Sequence, residues 1–343
     1  MDRTESRIMS KISFQRSFIM GIAILWVMLF HIKDYMSGYG FLQETGYGGV
    51  DIFILLSGFG CYHSLKKDED ILSFFKRRML RILPSYLPFI IIWMIVRYIT
   101  YQLYFTEICG NLTMTGWWNN DGNQFNWYVD VIVFFYLLAP YIFKVISSSK
   151  KPVMTTIILT VLAVAIGFSF MHGLLLTGIS RLPLFILGMF LARYLESEEK
   201  TIFPVSDKVI VMIINLLMIA GFASLYYFLE IQTALDKWHY GLWWYPFILI
   251  APGLVYDIAV VGDVLSKNRL TGLFSLCIEE IGKASFELFL IHIFIFESFG
   301  KTVSKDMLPL LFIAALVLGY LYHLAVINLP TIPTKSLNDR ASK

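Results

Sequence analysis

A histidine inside an apolar helix, an acid at the start of the next and a pair of arginines just beyond it are the residues best suited to chemistry. His31 closes the run Met20-Gly-Ile-Ala-Ile-Leu-Trp-Val-Met-Leu-Phe-His31. A histidine within a membrane span is costly and marks a functional site by default. As a neutral imidazole it can take a proton from a hydroxyl near pH 7. Lys33 and Asp34 follow at once, so an interfacial histidine bonding the helix end is the competing reading. Asp51, in Gly49-Val-Asp51-Ile-Phe, would orient the imidazole. Ser57, one and a half turns on, could donate a hydrogen bond to a carbonyl; as a nucleophile it would need a base beside it. Arg78 and Arg81 are three apart at a helix start, hence on one face, and arginines grip phosphates bidentately. The plainer reading of the basic loop Lys66-Lys67…Lys76-Arg77-Arg78 is a topology signal that also touches anionic lipid.

Other polar groups lie in apolar surroundings. Arg181, before Leu182-Pro183, demands a carboxylate or an anionic ligand and predicts a kinked or broken span. His292 is either functional or a packed, hydrogen-bonded histidine. Trp117, Trp118 and Trp127 suit the membrane interface and equally suit stacking on a sugar ring. Gly58 and Gly60 allow a helix or a thin ligand to approach closely. The three cysteines (Cys61, Cys109, Cys277) have no paired spacing, so neither a disulfide framework nor a metal site is expected.

The elements that position these groups follow from composition. The chain has 343 residues, 57% hydrophobic and only 15% charged, with mean hydropathy +0.67. Soluble domains carry about 25% charged residues. Its solvent is therefore mostly lipid, where backbone groups must be satisfied within helices or a closed barrel. Long unbroken apolar runs rather than alternation predict an all-α, polytopic membrane protein. About ten spans are expected, near 15–36, 46–65, 84–105, 126–146, 153–171, 175–194, 209–229, 240–260, 284–300 and 307–328. They form one transmembrane domain over 1–343, with a helical core at about 15–328 and a short polar tail at 329–343. With both termini cytoplasmic, only Lys33, Lys237, Lys301 and Lys305 fall in outer loops and Arg97 and Arg181 within spans. The rest of the 28 lysines and arginines lie inside, a strong positive-inside pattern. This topology places His31, Asp51, Trp127, Asp130, His172 and Arg181 in the outer half and His292 near mid-depth. Depth is readable here; azimuth is not. The net charge of +3 gives no reason to expect nucleic acid.

The order of these motifs resembles the acyltransferase-3 family of multi-spanning membrane acyltransferases. The resemblance rests on Gly21-Ile22-Ala23 through Phe30-His31, on Gly49-Val-Asp51 through Ser57-Gly58-Phe59, and on Arg78-x-x-Arg81 before Pro84. Weaker echoes are Asn126-Trp127-Tyr128 with Tyr136 and Pro140, Arg181-Leu-Pro-Leu-Phe185 with Gly188, and Leu288 to His292. It implies ten or so spans and an acetyl- or acyl-coenzyme A donor. It implies His31 as essential base and Arg78 and Arg81 at the donor site; Asp51 and Ser57 are added as catalytic candidates from the residues alone. One departure stands out: the family's arginine eleven residues before the histidine is Met20 here. Arg16, one turn earlier, could reach the same region. Some relatives carry an appended esterase-like domain outside the membrane; none is expected here, so a separate extracytoplasmic transferase is a possible partner.

Together these readings predict an enzyme of the cytoplasmic (inner) membrane. It would move an acetyl or other short acyl group from cytoplasmic acyl-coenzyme A to a hydroxyl of a cell-surface or lipid-linked carbohydrate. Trp127, Arg181, Trp117 and His292 are the expected acceptor-side residues. The second reading is a secondary transporter of a polar or anionic solute using the intramembrane histidines and Arg181, although no repeat with paired broken helices is visible. A third is a glycan-assembly scaffold, in which His31 and Arg78 are dispensable.

Overall fold

Amide groups with no water to bond to must bond to one another, and here they do so within helices. The computed structural model describes residues 7–36, 40–100, 104–119, 127–171, 173–196, 206–232, 236 and 241–329, and contains no strand among them. The helices are α1 (Arg7–Phe14), α2 (Arg16–Ile32), α3 (Phe41–Glu44), α4 (Gly48–Lys67), α5 (Ile71–Thr100), α6 (Phe105–Thr113), α7 (Trp127–Ser148) and α8 (Pro152–Phe170). They continue with α9 (Leu174–Ile179), α10 (Leu182–Glu196), α11 (Asp207–Tyr226), α12 (Phe247–Ser266), α13 (Arg269–Lys283), α14 (Ser285–Phe299) and α15 (Leu308–Ile327).

Seven segments among the described residues are long and apolar enough to cross a membrane: Ile71–Thr100, Trp127–Ser148, Pro152–Phe170, Leu175–Leu195, Asp207–Ile231, Phe247–Ser266 and Lys305–Ile327. These make the chain an all-α, multi-pass membrane protein. Three of the ten expected spans stand apart. α2 has 17 residues, about 26 Å of helix, short of the ~30 Å hydrocarbon core. α14 has 15 residues. α4 has 20 but carries Asp51, Lys66 and Lys67. All three are interior helices, with nine or more buried residues each. Surrounded by protein, they can be short or polar where a lipid-facing helix cannot.

α5 begins at Ile71 rather than near residue 84. Arg78 and Arg81 therefore lie within a 30-residue helix, not at the mouth of a loop. Pro84 and Pro88 interrupt its hydrogen-bond ladder, and the Tyr322 hydroxyl donates to the Ser85 carbonyl at 2.5 Å. The break foreseen near Arg181 is present, since α9 ends at Ile179 and α10 starts at Leu182.

Glycines set the closest helix contacts. Gly58 of α4 lies on the Phe185 carbonyl of α10, and Gly188 of α10 lies on the Leu55 carbonyl of α4. A Cβ at either site would overlap backbone, which cannot rotate away. Gly188→Ala should therefore cost about 1–3 kcal/mol, read as an earlier thermal transition in detergent; an unchanged transition would show that α4 and α10 separate easily. Gly60 differs. A Cβ there would meet only the Arg16 guanidinium, at 3.1 Å, so Gly60 leaves space for a cation rather than for a helix.

Candidate functional site

Polar groups gather at two ends of the bundle. At one end α2 presents His31 on its last turn, half-buried. Its ring stands edge to face with His292 of α14, centroids 5.1 Å apart, and with Phe30 at the same distance. His292 is fully buried, walled by Phe289 and Phe296 with centroids at 5.8 Å. Its Nδ1 lies 2.8 Å from the Leu288 carbonyl. A carbonyl only accepts, so Nδ1 carries the proton and Nε2 the lone pair. Nε2 is buried without a hydrogen-bond partner, a state that costs about 1–3 kcal/mol when nothing fills it.

Beside this pair, Asp51 of α4 meets Arg181 at 3.3 Å, both fully buried. The guanidinium also donates to the Thr177 carbonyl. It lies over the rings of Trp127 at 4.9 Å and Trp244 at 5.5 Å. Tyr47 joins the two groups. Its ring is 5.4 Å from Phe30, and its hydroxyl donates to the Trp243 carbonyl at 2.6 Å. The expectation that Asp51 orients His31 is thereby corrected. The ion pair of Asp51 goes to Arg181, because a buried guanidinium needs a countercharge more than a neutral imidazole does. The polar ring that His31 faces is His292.

At the other end, Arg78 is buried and donates to the Gly60 carbonyl at 2.8 Å. Its guanidinium lies over Phe74 at 5.2 Å and Tyr136 at 5.4 Å. Arg16, at the start of α2, lies against Gly60 and within the field of Arg78. Arg81 is exposed. Among the described residues, neither Arg16 nor Arg78 has a carboxylate partner. Two such cations sunk into a lipid-embedded bundle form a site for an anion.

A string of side chains joins the ends. Ser57, half-buried on α4, lies within hydrogen-bonding reach of the phenols of Tyr128 and Tyr136 on α7. The Tyr128 ring is 5.0 Å from Phe289, which touches His292. Arg16 and His31 are one helix apart end to end, about 22 Å at 1.5 Å per residue. The geometry therefore offers an anion site at one end, a histidine pair at the other, and hydroxyls between.

Of the expected acceptor-side residues, Trp127 and Arg181 touch each other and His292 touches His31. Trp117 sits elsewhere. It is fully buried, packed on Trp118 at 4.6 Å and against Gly178, with its backbone N–H donating to Asp130 at 2.8 Å. That is a packing position, not an open sugar platform. His172, Asn126 and the amide-rich stretch 120–124 lie outside the described residues. The sequence reading named Tyr128 and Tyr136 only as echoes of a motif, with no role, and missed Tyr47 and Trp244, whose aromatic character alone gives no signal. It also missed a buried network in which the Ser85 hydroxyl donates to Glu287 at 2.5 Å and His323 Nδ1 meets the other carboxylate oxygen at 3.0 Å. Histidine in the last apolar run was the available signal there.

A family model described as an acyltransferase domain, of the acyltransferase-3 type, matches residues 19–327. No curated protein and no solved structure matches the chain.

Proposed function

The chain belongs to the acyltransferase-3 family, and we propose that within it this protein carries an acetyl or other short acyl group from coenzyme A to a hydroxyl of a cell-surface or lipid-linked carbohydrate. The membrane would be the cytoplasmic one, with about ten passes and both termini inside. The observation that carries this reading is the string from Arg16 and Arg78 through Ser57 to His31. Phosphates of the donor suit the cationic end. The pantetheine arm is a long, thin chain that suits the separation between the two ends. Its amides suit the hydroxyls of Ser57, Tyr128 and Tyr136, since a polar chain in an apolar bundle needs partners.

His31 takes the proton of the acceptor hydroxyl. The oxygen attacks the thioester carbonyl, Ser57 donates to the carbonyl oxygen, and the carbon–sulfur bond breaks. His31 returns its proton to the leaving thiolate. Trp127, Trp244 and Arg181 border the acceptor. Arg16 takes the place of the arginine that Met20 replaces, because its guanidinium already lies at Gly60. A separate extracytoplasmic transferase would receive the acyl group where the final acceptor is remote from the membrane.

The broken helix at Arg181 favours the second reading, a transporter of an anionic solute. Membranes containing the protein, labelled acetyl-coenzyme A and envelope glycans separate the two. Acyl transfer consumes the thioester in step with label entering glycan, whereas transport leaves it intact. Arg78→Ala should raise KM for acyl-coenzyme A about 10–100-fold, the worth of a charge-assisted contact of ~1.5–3 kcal/mol, with a smaller effect on kcat. An unchanged KM would remove Arg78 from the donor site.

A further inference from the structure

We propose that His292 is the positioning residue that sets which nitrogen of His31 is the base. The inference rests on the acyl-transfer reading and adds a residue to it. A neutral imidazole has one N–H and one lone pair. It works as a base only when something accepts its N–H and so turns the lone pair toward the substrate. The carboxylate that usually does this is here committed to Arg181. His292 supplies the acceptor instead. Its Nδ1–H is fixed on the Leu288 carbonyl at 2.8 Å, which commits Nε2 to the lone pair. That Nε2 is fully buried and has no partner. The Phe289 carbonyl, like that of Leu288, bonds the ring without relieving Nε2, and the rings of Phe289 and Phe296 that wall it carry no polar atom. The polar ring beside it is His31, edge to face with 5.1 Å between centres, and turning that half-buried ring toward the line of centres brings its N–H near the ~2.9 Å of a hydrogen bond to Nε2. Such contacts tighten when substrate binds.

The chain of bonds runs from the Leu288 carbonyl to His292 Nδ1–H, from His292 Nε2 to the N–H of His31, and from the second nitrogen of His31 to the acceptor hydroxyl. During transfer His31 alone gains and returns a proton; His292 keeps its own on Nδ1 throughout. His292 thus acts through His31.

The two nitrogens of His292 can be tested apart. Glutamine reaches the position of Nε2 with an amide oxygen, whereas asparagine reaches that of Nδ1 and can still bond the Leu288 carbonyl. His292→Gln should keep transfer within about 5-fold of wild type, and His292→Asn should lose about 100-fold in kcat with KM for acyl-coenzyme A unchanged. A residue that merely packs would give the reverse order, and equal loss in both folded variants would also overturn the proposal. The rate at which diethylpyrocarbonate modifies His31, followed by peptide mass spectrometry, gives a readout that needs no transfer activity. It should stay near wild type in His292→Gln and change at least several-fold in His292→Asn. Should wild-type membranes transfer nothing, the acyl-transfer reading fails while the modification rates still decide the pairing. Equal rates in wild type and both variants would refute it.

Discussion

His31→Ala should reduce acyl transfer by about 10²–10⁴-fold, the range that a positioned general base contributes, and leave acyl-coenzyme A binding intact. The two halves of that expectation come from geometry. His31 ends α2 and Arg16 begins it, about 22 Å away, and sites this far apart with no shared partner are additive. Binding at the arginine end should therefore be indifferent to the histidine end. The fold should be indifferent too. His31 is half-buried, and its partners are ring contacts rather than a buried charge pair. A thermal transition close to wild type, donor affinity within about twofold and transfer near background would together place the base at His31. Transfer within about threefold of wild type would remove it, and the transporter and scaffold readings would then regain ground. Loss of donor binding along with transfer would mean instead that the variant had disturbed α2 as a whole.

The residues legible in the sequence were those whose cost in lipid is high. His31, Asp51, Arg78, Arg181 and His292 stand out because an ionisable group in an apolar run needs a reason, and the structure brings them to two ends of one bundle. Their pairings were not legible. Depth follows from counting residues along a span, but Asp51 turns toward Arg181 rather than His31 because of azimuth, which helix packing sets. His31 and His292, on α2 and α14, show no relation in spacing. The same holds for Ser85, Glu287 and His323, drawn from three helices. Hydropathy also misplaced the start of α5. Lys76, Arg77 and Arg78 look like loop residues in an average, yet Arg78 is tucked inward onto the Gly60 carbonyl and the rings of Phe74 and Tyr136. α2, α4 and α14 read as spans from hydropathy, and as interior helices they are free of the length and apolarity that lipid imposes, so seven of the ten expected spans meet those criteria by themselves.

Asp51→Asn and Arg181→Met should each destabilise the protein by about 3–5 kcal/mol, and the two together by much less. Removing one partner of a buried pair strands the other charge in a low-dielectric interior, whereas removing both removes the penalty as well. Both groups are fully buried, 3.3 Å apart, so neither can turn to water. Arg181→Met should be the milder single change. Methionine fills part of the volume between Trp127 and Trp244, and the Asp51 left behind can take up a proton. Arg181 left behind cannot lose one. Thermal transitions of the four proteins in one detergent give the coupling between the sites, and a double variant as unstable as the sum of the singles would show that the pair contributes nothing jointly. Activity then separates scaffold from site. If the pair only holds α4 against the α9–α10 break, the double variant regains transfer along with stability. If Arg181 borders the acceptor between its two tryptophans, stability returns and transfer does not, with the deficit in KM for the acceptor rather than for acyl-coenzyme A. The second outcome is the expected one, because a guanidinium resting on two indole rings is more than a strut needs. Asp51 alone would satisfy its charge, and the rings extend that arrangement into a surface on which an acceptor can lie.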